Sequence, residues 1–387
     1  MRKCLQIIFL VLLVSITFIS EVYSQNRQEK SYYAQALSTF KYEDNVLRSK
    51  FDKRSDSIME VSPKISFTMY PFGTKFSTAY GGKIGRHVTY LQQDYLHHNL
   101  SAEWEARPSS VLNVKLLGSY IRNQETLGDT GIDASVDDSP NVFERPSGEI
   151  KILYRNGESR ASFEFSVQIG MLRYKKSDLS TNDTDSMTYK FLNGYQWTGK
   201  TRVYYSISRT NSRYVNKEAF ESDNTASRYL VGAEWKSSGK TVSFIETGLA
   251  TQAFVNEEIS STNDINISSS LVWHMRSYSQ ISLNLSRNTQ STSNSEFLTY
   301  VRNRVDISWQ HGFNNRLASV LSFDATLNQT NDNESEFFYT LTPSLNYQLT
   351  RWASVASQMS LQSKKSTIEN SEYDLFVFTT SINLMLR

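Results

Sequence analysis

The side chains best suited to catalysis in this sequence are five histidines: His87, His97, His98, His274 and His311. A hydrolytic site needs a nucleophile with a base in reach, and His97 shares a predicted strand face with Glu103, as His274 does with Ser270. Serine is so frequent that such pairs carry no weight. Neither a Gly-Xaa-Ser-Xaa-Gly elbow nor a phosphate-binding glycine loop occurs. The sequence therefore predicts no catalytic residue, no cofactor site and no metal site, and the protein is not expected to be an enzyme.

A second set of residues carries charge at alternating positions of the chain. Opposite charges on neighbouring strands can pair and stiffen a sheet, and the same charges can line a water-filled channel. The residues predicted to face the lumen are Glu60 and Glu149 together with Lys64, Lys83, Glu103, Glu105, Lys151, Glu164, Lys190, Arg202, Arg228, Glu234, Arg302, Arg304, Asp306 and Asp324. Eight of these side chains are basic and eight are acidic, so we expect the channel to have little preference between cations and anions.

The elements that would position these charges are strands with two different faces. Apolar side chains take every second position of many segments, with polar side chains between them. One clear example places serine, glutamate and glutamine between Ala161, Phe163, Phe165, Val167, Ile169 and Met171. Many segments exceed about ten residues, which is close to the length that a tilted strand needs to cross a bilayer. We therefore predict an all-β fold, a transmembrane antiparallel up-and-down β-barrel.

Turn residues divide the chain into about 18 such segments, and 16–18 strands is the expected range. The connections alternate between tight turns, such as 198–200, and longer polar loops, such as 175–185, which is the pattern of outer-membrane barrels with short periplasmic turns. The longest loop, residues 125–140, is the candidate for a constriction folded into the channel. The predicted strands start near Tyr32, Ile58, Thr74, Tyr95, Ser110, Val142, Arg160, Met187, Thr201, Ala226, Thr241, Asn263, Tyr278, Glu296, Arg316, Glu336, Trp352 and Tyr373.

The tryptophans favour a membrane barrel over other β folds. Each lies beside a short turn, which predicts an aromatic girdle at the periplasmic interface, where an apolar ring with one polar N–H is stable. Two rival folds also fit alternation: a propeller, whose repeat is about 40 residues, and a secreted soluble sandwich, whose strands are about five or six residues long. The predicted strands are longer than either fold uses. The six tryptophans are Trp104, Trp197, Trp235, Trp273, Trp309 and Trp352.

The first residues resemble a secretory signal peptide. Arg2 and Lys3 precede an apolar stretch from Leu5 to Ile19, and Val22 and Ser24 fit cleavage before Gln25. The alternative is a retained anchor, for which the stretch is short. We expect a signal peptide over residues 1–24, a barrel over residues 25–387 and export to a bacterial outer membrane. The net charge of +2 gives no indication of nucleic-acid binding.

Several motifs resemble those of a known family. They include Phe40-Lys41-Tyr42-Glu43-Asp44-Asn45-Val46, Ser55-Asp56, Val61-Ser62-Pro63 and Asp94-Tyr95, and later Phe191-Leu192-Asn193-Gly194-Tyr195-Gln196-Trp197. This pattern is similar to that of the outer-membrane β-barrel porins encoded beside exopolysaccharide or capsule genes. The resemblance implies a Gram-negative outer-membrane barrel linked to polysaccharide export.

The leading functional hypothesis is a porin-like passage for hydrophilic solutes. The alternatives are a non-conducting structural or docking barrel in a polysaccharide export assembly and an outer-membrane enzyme that modifies lipid or glycan. The expected partners are outer-membrane lipid, the barrel-insertion machinery and polysaccharide export proteins, with no nucleic acid.

Overall fold

A computed structural model describes residues 31–125, 140–155, 159–216, 223–256, 260–291, 299–330, 334–367 and 371–386. The predicted signal peptide lies outside the described residues, as do residues 126–139 of the predicted constriction. No helix in the described part of the chain is long and apolar enough to cross a membrane.

The described chain forms eighteen strands, each of which begins within three residues of its predicted start. Three short 3₁₀ helices, Pro71–Gly73, Leu91–Gln93 and Ser177–Asn182, lie in the connections. The strands are β1 Ser31–Glu43, β2 Asp56–Met69, β3 Lys75–His87, β4 Tyr95–Ala106, β5 Leu112–Gln124, β6 Val142–Tyr154, β7 Ala161–Tyr174, β8 Thr184–Gln196, β9 Thr201–Tyr214, β10 Asn224–Ser238, β11 Thr241–Phe254, β12 Thr262–Arg276, β13 Ser279–Ser291, β14 Thr299–Gly312, β15 Leu317–Thr330, β16 Ser335–Gln348, β17 Ala353–Ser366 and β18 Tyr373–Leu386.

All eighteen strands belong to one closed antiparallel sheet. Each strand pairs with its neighbours in sequence, and β1 also pairs with β18 from Ala34 opposite Leu386 to Glu43 opposite Val377. Closure removes the exposed edges that an open sheet would present. The prediction of an antiparallel up-and-down barrel is therefore confirmed, and both the propeller and the sandwich are excluded.

The two faces of the barrel wall differ in polarity because side chains alternate along each strand. On β2, for example, Met59, Val61 and Ile65 are exposed on one face, whereas Ile58 and Glu60 are buried on the other. Exposed large apolar side chains recur in the same way on the other strands. In a membrane barrel the apolar face is the outer face and the polar face lines the interior. The short connections lie at one end of the barrel, the turn end, and the longer connections lie at the opposite loop end.

Candidate functional site in the barrel interior

The predicted lumen-facing residues all lie on the polar face of their strands. Their alternation is opposite to that of the exposed apolar residues throughout. Most form cross-strand or same-strand ion pairs, which are Lys83–Glu60 at 3.3 Å, Lys151–Glu164 at 3.4 Å, Lys151–Glu149 at 3.8 Å, Arg202–Glu234 at 3.2 Å, Arg304–Asp306 at 2.7 Å and Arg304–Asp324 at 2.6 Å. Glu103 and Glu105 instead share Lys115. The pairs leave the wall locally close to neutral, and a role in ion passage stays a prediction.

Four of the predicted basic residues are not brought together with an acidic partner within the described residues. Lys64, Lys190 and Arg228 have exposed side chains on the interior face. Arg302 donates to Asn328 Oδ1 at 3.0 Å and to the Tyr300 hydroxyl at 3.0 Å, in addition to stacking over the Tyr300 ring. Lys64, Lys190 and Arg228 are therefore exposed interior cations without an acidic partner among the described residues.

At two places a tyrosine side chain bridges three strands of the interior wall. Neither tyrosine was identified as an interior residue from the sequence. Tyr95 on β4 lies over Gly85 on β3, and its hydroxyl donates to Glu60 on β2 at 2.6 Å. A Cβ atom on Gly85 would overlap the tyrosine ring. The missing side chain therefore lets the ring lie flat on the wall and join three strands. The signal in the sequence was a glycine inside a strand, which often marks such a close approach.

The second tyrosine bridge repeats this geometry on the β9–β11 part of the wall. Tyr204 lies over Gly232, and its hydroxyl donates to Glu246 Oε2 at 2.9 Å. A Cβ atom on Gly232 would again overlap the ring. Each bridge spans three strands. Its contacts could therefore be predicted only if the registers of both strand pairs were known.

The connection between β1 and β2, residues 44–55, folds onto the barrel wall at the loop end. The Asp44 N–H donates to the Phe376 carbonyl at 3.1 Å, and Asn45 Nδ2 donates to the Asp374 carbonyl at 2.9 Å. Asn45 is 0% and Leu47 is 1% exposed, so the start of this connection is buried. The connection therefore lies along the first residues of β18.

Arg48 fixes the turn of this connection. Its φ of 56° is in the left-handed region, which is uncommon for a residue other than glycine. Its guanidinium donates to Glu43 Oε2 at 2.6 Å and to the Asn45 carbonyl at 2.8 Å, and these bonds hold the turn. Lys41 also forms an ion pair with the Glu43 carboxylate at 2.6 Å. The turn thereby places two cations, Lys41 and Arg48, around one carboxylate on the interior wall.

A buried ion pair lies at the same end of the barrel. Lys364 and Glu336 are 2.5 Å apart, and their side chains are 2% and 3% exposed. Ser371 accepts from Lys364 Nζ at 2.7 Å and donates to Glu336 Oε1 at 3.1 Å. Removal of either charge would leave the other buried without its counter-ion, which is costly. The wall at β16 and β17 is thus closely packed near the loop end.

The histidines are distributed over both faces. His87 and His97 lie on the interior face, whereas His98 lies outside and its Nδ1 is 2.9 Å from the Tyr80 hydroxyl. His97 shares its face with Glu103 as predicted, but Glu103 lies toward the other end of β4 near Lys115.

The Asp94 carboxyl lies beside His87, immediately before β4. Burial raises the pKa of this carboxyl, but hydrogen bonds from Arg86 and the His87 N–H outweigh this and hold the pKa below its usual value. No group of three potential metal ligands occurs among the described residues.

The six tryptophans lie together at the turn end. Trp273 on β12 and Trp309 on β14 both oppose Ile281 on β13, so they are at one level of the wall. Trp104 and Trp309 use their indole N–H groups to reach Thr74 and Ser279, each at 3.1 Å. The other tryptophans lie at or beside strand ends, next to short turns. The exposed tryptophans are Trp197, Trp235, Trp273, Trp309 and Trp352. Their role as an interfacial girdle stays a prediction.

Comparisons with known proteins agree with this architecture. The sequence model of the family described as Putative beta-barrel porin 2 matches residues 32–385. No curated protein sequence matches the chain.

The solved structures with a similar fold include three outer-membrane proteins. The outer membrane protein OpdK from Pseudomonas aeruginosa is 10% identical with a TM-score of 0.53, and the match covers 92% of this chain and 99% of OpdK. OccK2 (OpdF) from the same organism, in complex with glucuronate, is 8% identical with a TM-score of 0.54 and coverage of 93% and 99%. OccAB3 from Acinetobacter baumannii is 9% identical with a TM-score of 0.51 and coverage of 92% and 99%. At such identities the likeness concerns the fold alone.

Proposed function

From the premise that this chain belongs to the Putative beta-barrel porin 2 family, we propose that it forms a passage for hydrophilic solutes across the outer membrane. The chain is a porin-like outer-membrane β-barrel. Porins are channels, which agrees with the expectation that the chain is not an enzyme. The observation that carries the proposal is the closed sheet of eighteen strands with a charged, hydrogen-bonded interior. A barrel of this size has an interior too wide for wall side chains alone to fill.

Conductance in planar bilayers tests this proposal. The purified barrel is expected to give ohmic currents, because water and ions can cross a polar interior. The reversal potential in a salt gradient is expected to show little preference between cations and anions, because basic and acidic side chains on the wall are balanced and mostly paired.

The connection between β1 and β2 supplies a second arm of this experiment. Because it lies on the interior wall, replacing residues 46–53 by a short glycine-serine linker is expected to raise the conductance. Shortening the connection at residues 177–182 is the control, since this 3₁₀ helix has no buried residue. A folded barrel that carries no current in any of these forms contradicts the passage and favours the docking barrel.

We further propose that the solute belongs to the export of a surface polysaccharide. The support is the resemblance of the Phe40–Val46, Ser55-Asp56 and Val61–Pro63 motifs to porins encoded beside exopolysaccharide or capsule genes. Partners in the export assembly are part of the same proposal. Deletion of the gene is expected to reduce surface polysaccharide, with restoration by the intact gene. Unchanged polysaccharide in the deletion strain would separate this barrel from export while leaving its conductance unaffected.

A further inference from the structure

A recess of about 370 Å³ lies on the interior wall at the loop end. Strands β1 to β5 and the turn between β1 and β2 surround it, so the buried turn at Val46 and Arg48 forms one side. Its volume is within the range of pockets that bind small molecules, which is about 300–1,000 Å³.

The charges around the recess cancel. Lys41 and Arg48 are each 2.6 Å from Glu43, and Lys83 is 3.3 Å from Glu60. A third carboxylate, Glu125, accepts hydrogen bonds from the Tyr174 hydroxyl at 2.6 Å and from Asn141 Nδ2 at 2.9 Å. Three basic and three acidic side chains therefore line the recess. A charged ligand would have to compete with these pairs, whereas an uncharged polar ligand can accept and donate at their edges.

Two histidines leave hydrogen-bonding capacity unused at this place. His87 is 7% exposed, and its Nδ1 has no hydrogen-bond partner within the described residues; Asp94 Oδ1 is 3.7 Å away, too far for a hydrogen bond. Nε2 of His97 is likewise buried without a partner in that part of the chain. A buried polar atom without a partner is destabilising, so a hydroxyl group of a bound solute that reached either nitrogen would be stabilised there.

The aromatic rings complete the lining. Tyr95 stacks on His97 with ring centroids 4.8 Å apart and meets His87 edge-on at 6.0 Å. A sugar offers both parts of a match to such a site, because its hydroxyl groups donate and accept while its C–H face is apolar and packs against rings. We propose that this recess binds one uncharged, hydroxyl-rich unit of the size of a mono- or disaccharide. The inference rests on the proposed passage in one respect, namely that it assigns the class of solute that the passage recognises.

Histidine signals test binding without any need for conductance. The intact barrel, labelled with ¹³C-histidine in detergent micelles, is titrated with maltose as the probe. The imidazole signals of His87 and His97 are expected to shift in a saturable manner, because both rings line the recess. The signals of His98, His274 and His311 are expected to stay, since these residues lie elsewhere. Absence of a shift, or an equal shift of all five signals, overturns the proposal whether or not the barrel conducts.

A matched pair of variants locates the site. Lys83→Met removes a donor at the recess, and Lys75→Met removes the same group from the same face of β3 near the turn end. Maltose affinity is expected to fall about tenfold for Lys83→Met, since a hydrogen bond to a charged group is lost, and to stay unchanged for Lys75→Met. Equal affinity in both variants contradicts the assignment. Galacturonate is the charged comparison, and tighter binding of galacturonate than of maltose would overturn the inference of an uncharged ligand. A barrel that conducts but does not bind maltose would leave the passage intact and remove only this inference.

Discussion

Replacement of Gly85 by valine is expected to be one of the most damaging single changes in this barrel. The new side chain would occupy the space of the Tyr95 ring, so the ring must leave the wall and its hydrogen bond to Glu60 is lost. Overpacking costs about 1–3 kcal/mol, and a hydrogen bond to a charged group contributes about 1.5–3 kcal/mol. The free energy of unfolding in urea, followed by tryptophan fluorescence, is expected to fall by about 3 kcal/mol or more.

Gly81→Val is the matched control for that change. Gly81 lies on the same strand and the same face, but nothing lies within 4 Å of a Cβ atom placed there. Valine is also a better strand residue than glycine, so this variant is expected to be as stable as the parent or more stable. If the two variants unfold at the same urea concentration, the tyrosine bridge does not stabilise the wall.

The second large effect is expected from a charge on the outer face. Phe165 on β7 is 45% exposed and is flanked by Ile152 and Phe191 on the neighbouring strands. It lies four residues from the turn-end start of its strand, which corresponds to about 10 Å along the barrel axis and hence to the middle of the apolar band. Phe165→Arg is expected to cost about 2–4 kcal/mol in lipid. The measurement is the fraction of barrel that folds into vesicles over a urea series.

Gln168→Arg is the control on the interior face of the same strand. Gln168 is exposed there and lies opposite Glu149, so an arginine finds both water and a counter-ion. Ser166 is less suitable because it lies between Lys151 and Lys190 and is buried. Folding that suffers equally in Phe165→Arg and Gln168→Arg would mean that the assignment of one outer and one interior face to β7 is wrong.

Local patterns were sufficient to predict the strands. Alternation decides which face a side chain takes, and it is a property of neighbouring residues, so Phe165 and Glu164 could be assigned to opposite faces without any partner strand. The turn residues set the strand boundaries for the same reason. The number of strands in a barrel of this class can therefore be predicted from the sequence.

The arrangement around the interior could not be read in this way. Tyr95, Gly85 and Glu60 lie on three strands, and their contact depends on two registers that each could slip. Buried Asn45 donates to the Asp374 carbonyl of β18, which is 329 positions away in the chain. Candidate charges could be named from the sequence, but the recess at Arg48 and His87 required long-range pairing to become visible.

The pairing of β1 with β18 also determines how the chain can reach this state. Gln35 Nε2 donates to Asn383 Oδ1 at 2.8 Å across this seam, between residues 348 positions apart. Closing a loop of this length has the largest entropic cost of any strand pairing in the sheet. The β1–β18 pair is therefore expected to form last, when the other seventeen pairings are already in place. Until then both edges are competent to recruit foreign strands.

The pairing of β1 with β18 makes the hydrogen bonding of the wall cyclic. Only a covalent connection between these two strands is missing. The outer ends of β1 and β18 are at the turn end, like the short connections that join the other strand pairs there. A circularly permuted gene, with these ends joined by a short linker and new termini at another connection, would encode the same ring of pairings in a different order of synthesis. The native order is then one of several that the hydrogen-bonded ring permits, and what distinguishes it is which seam is left to close last.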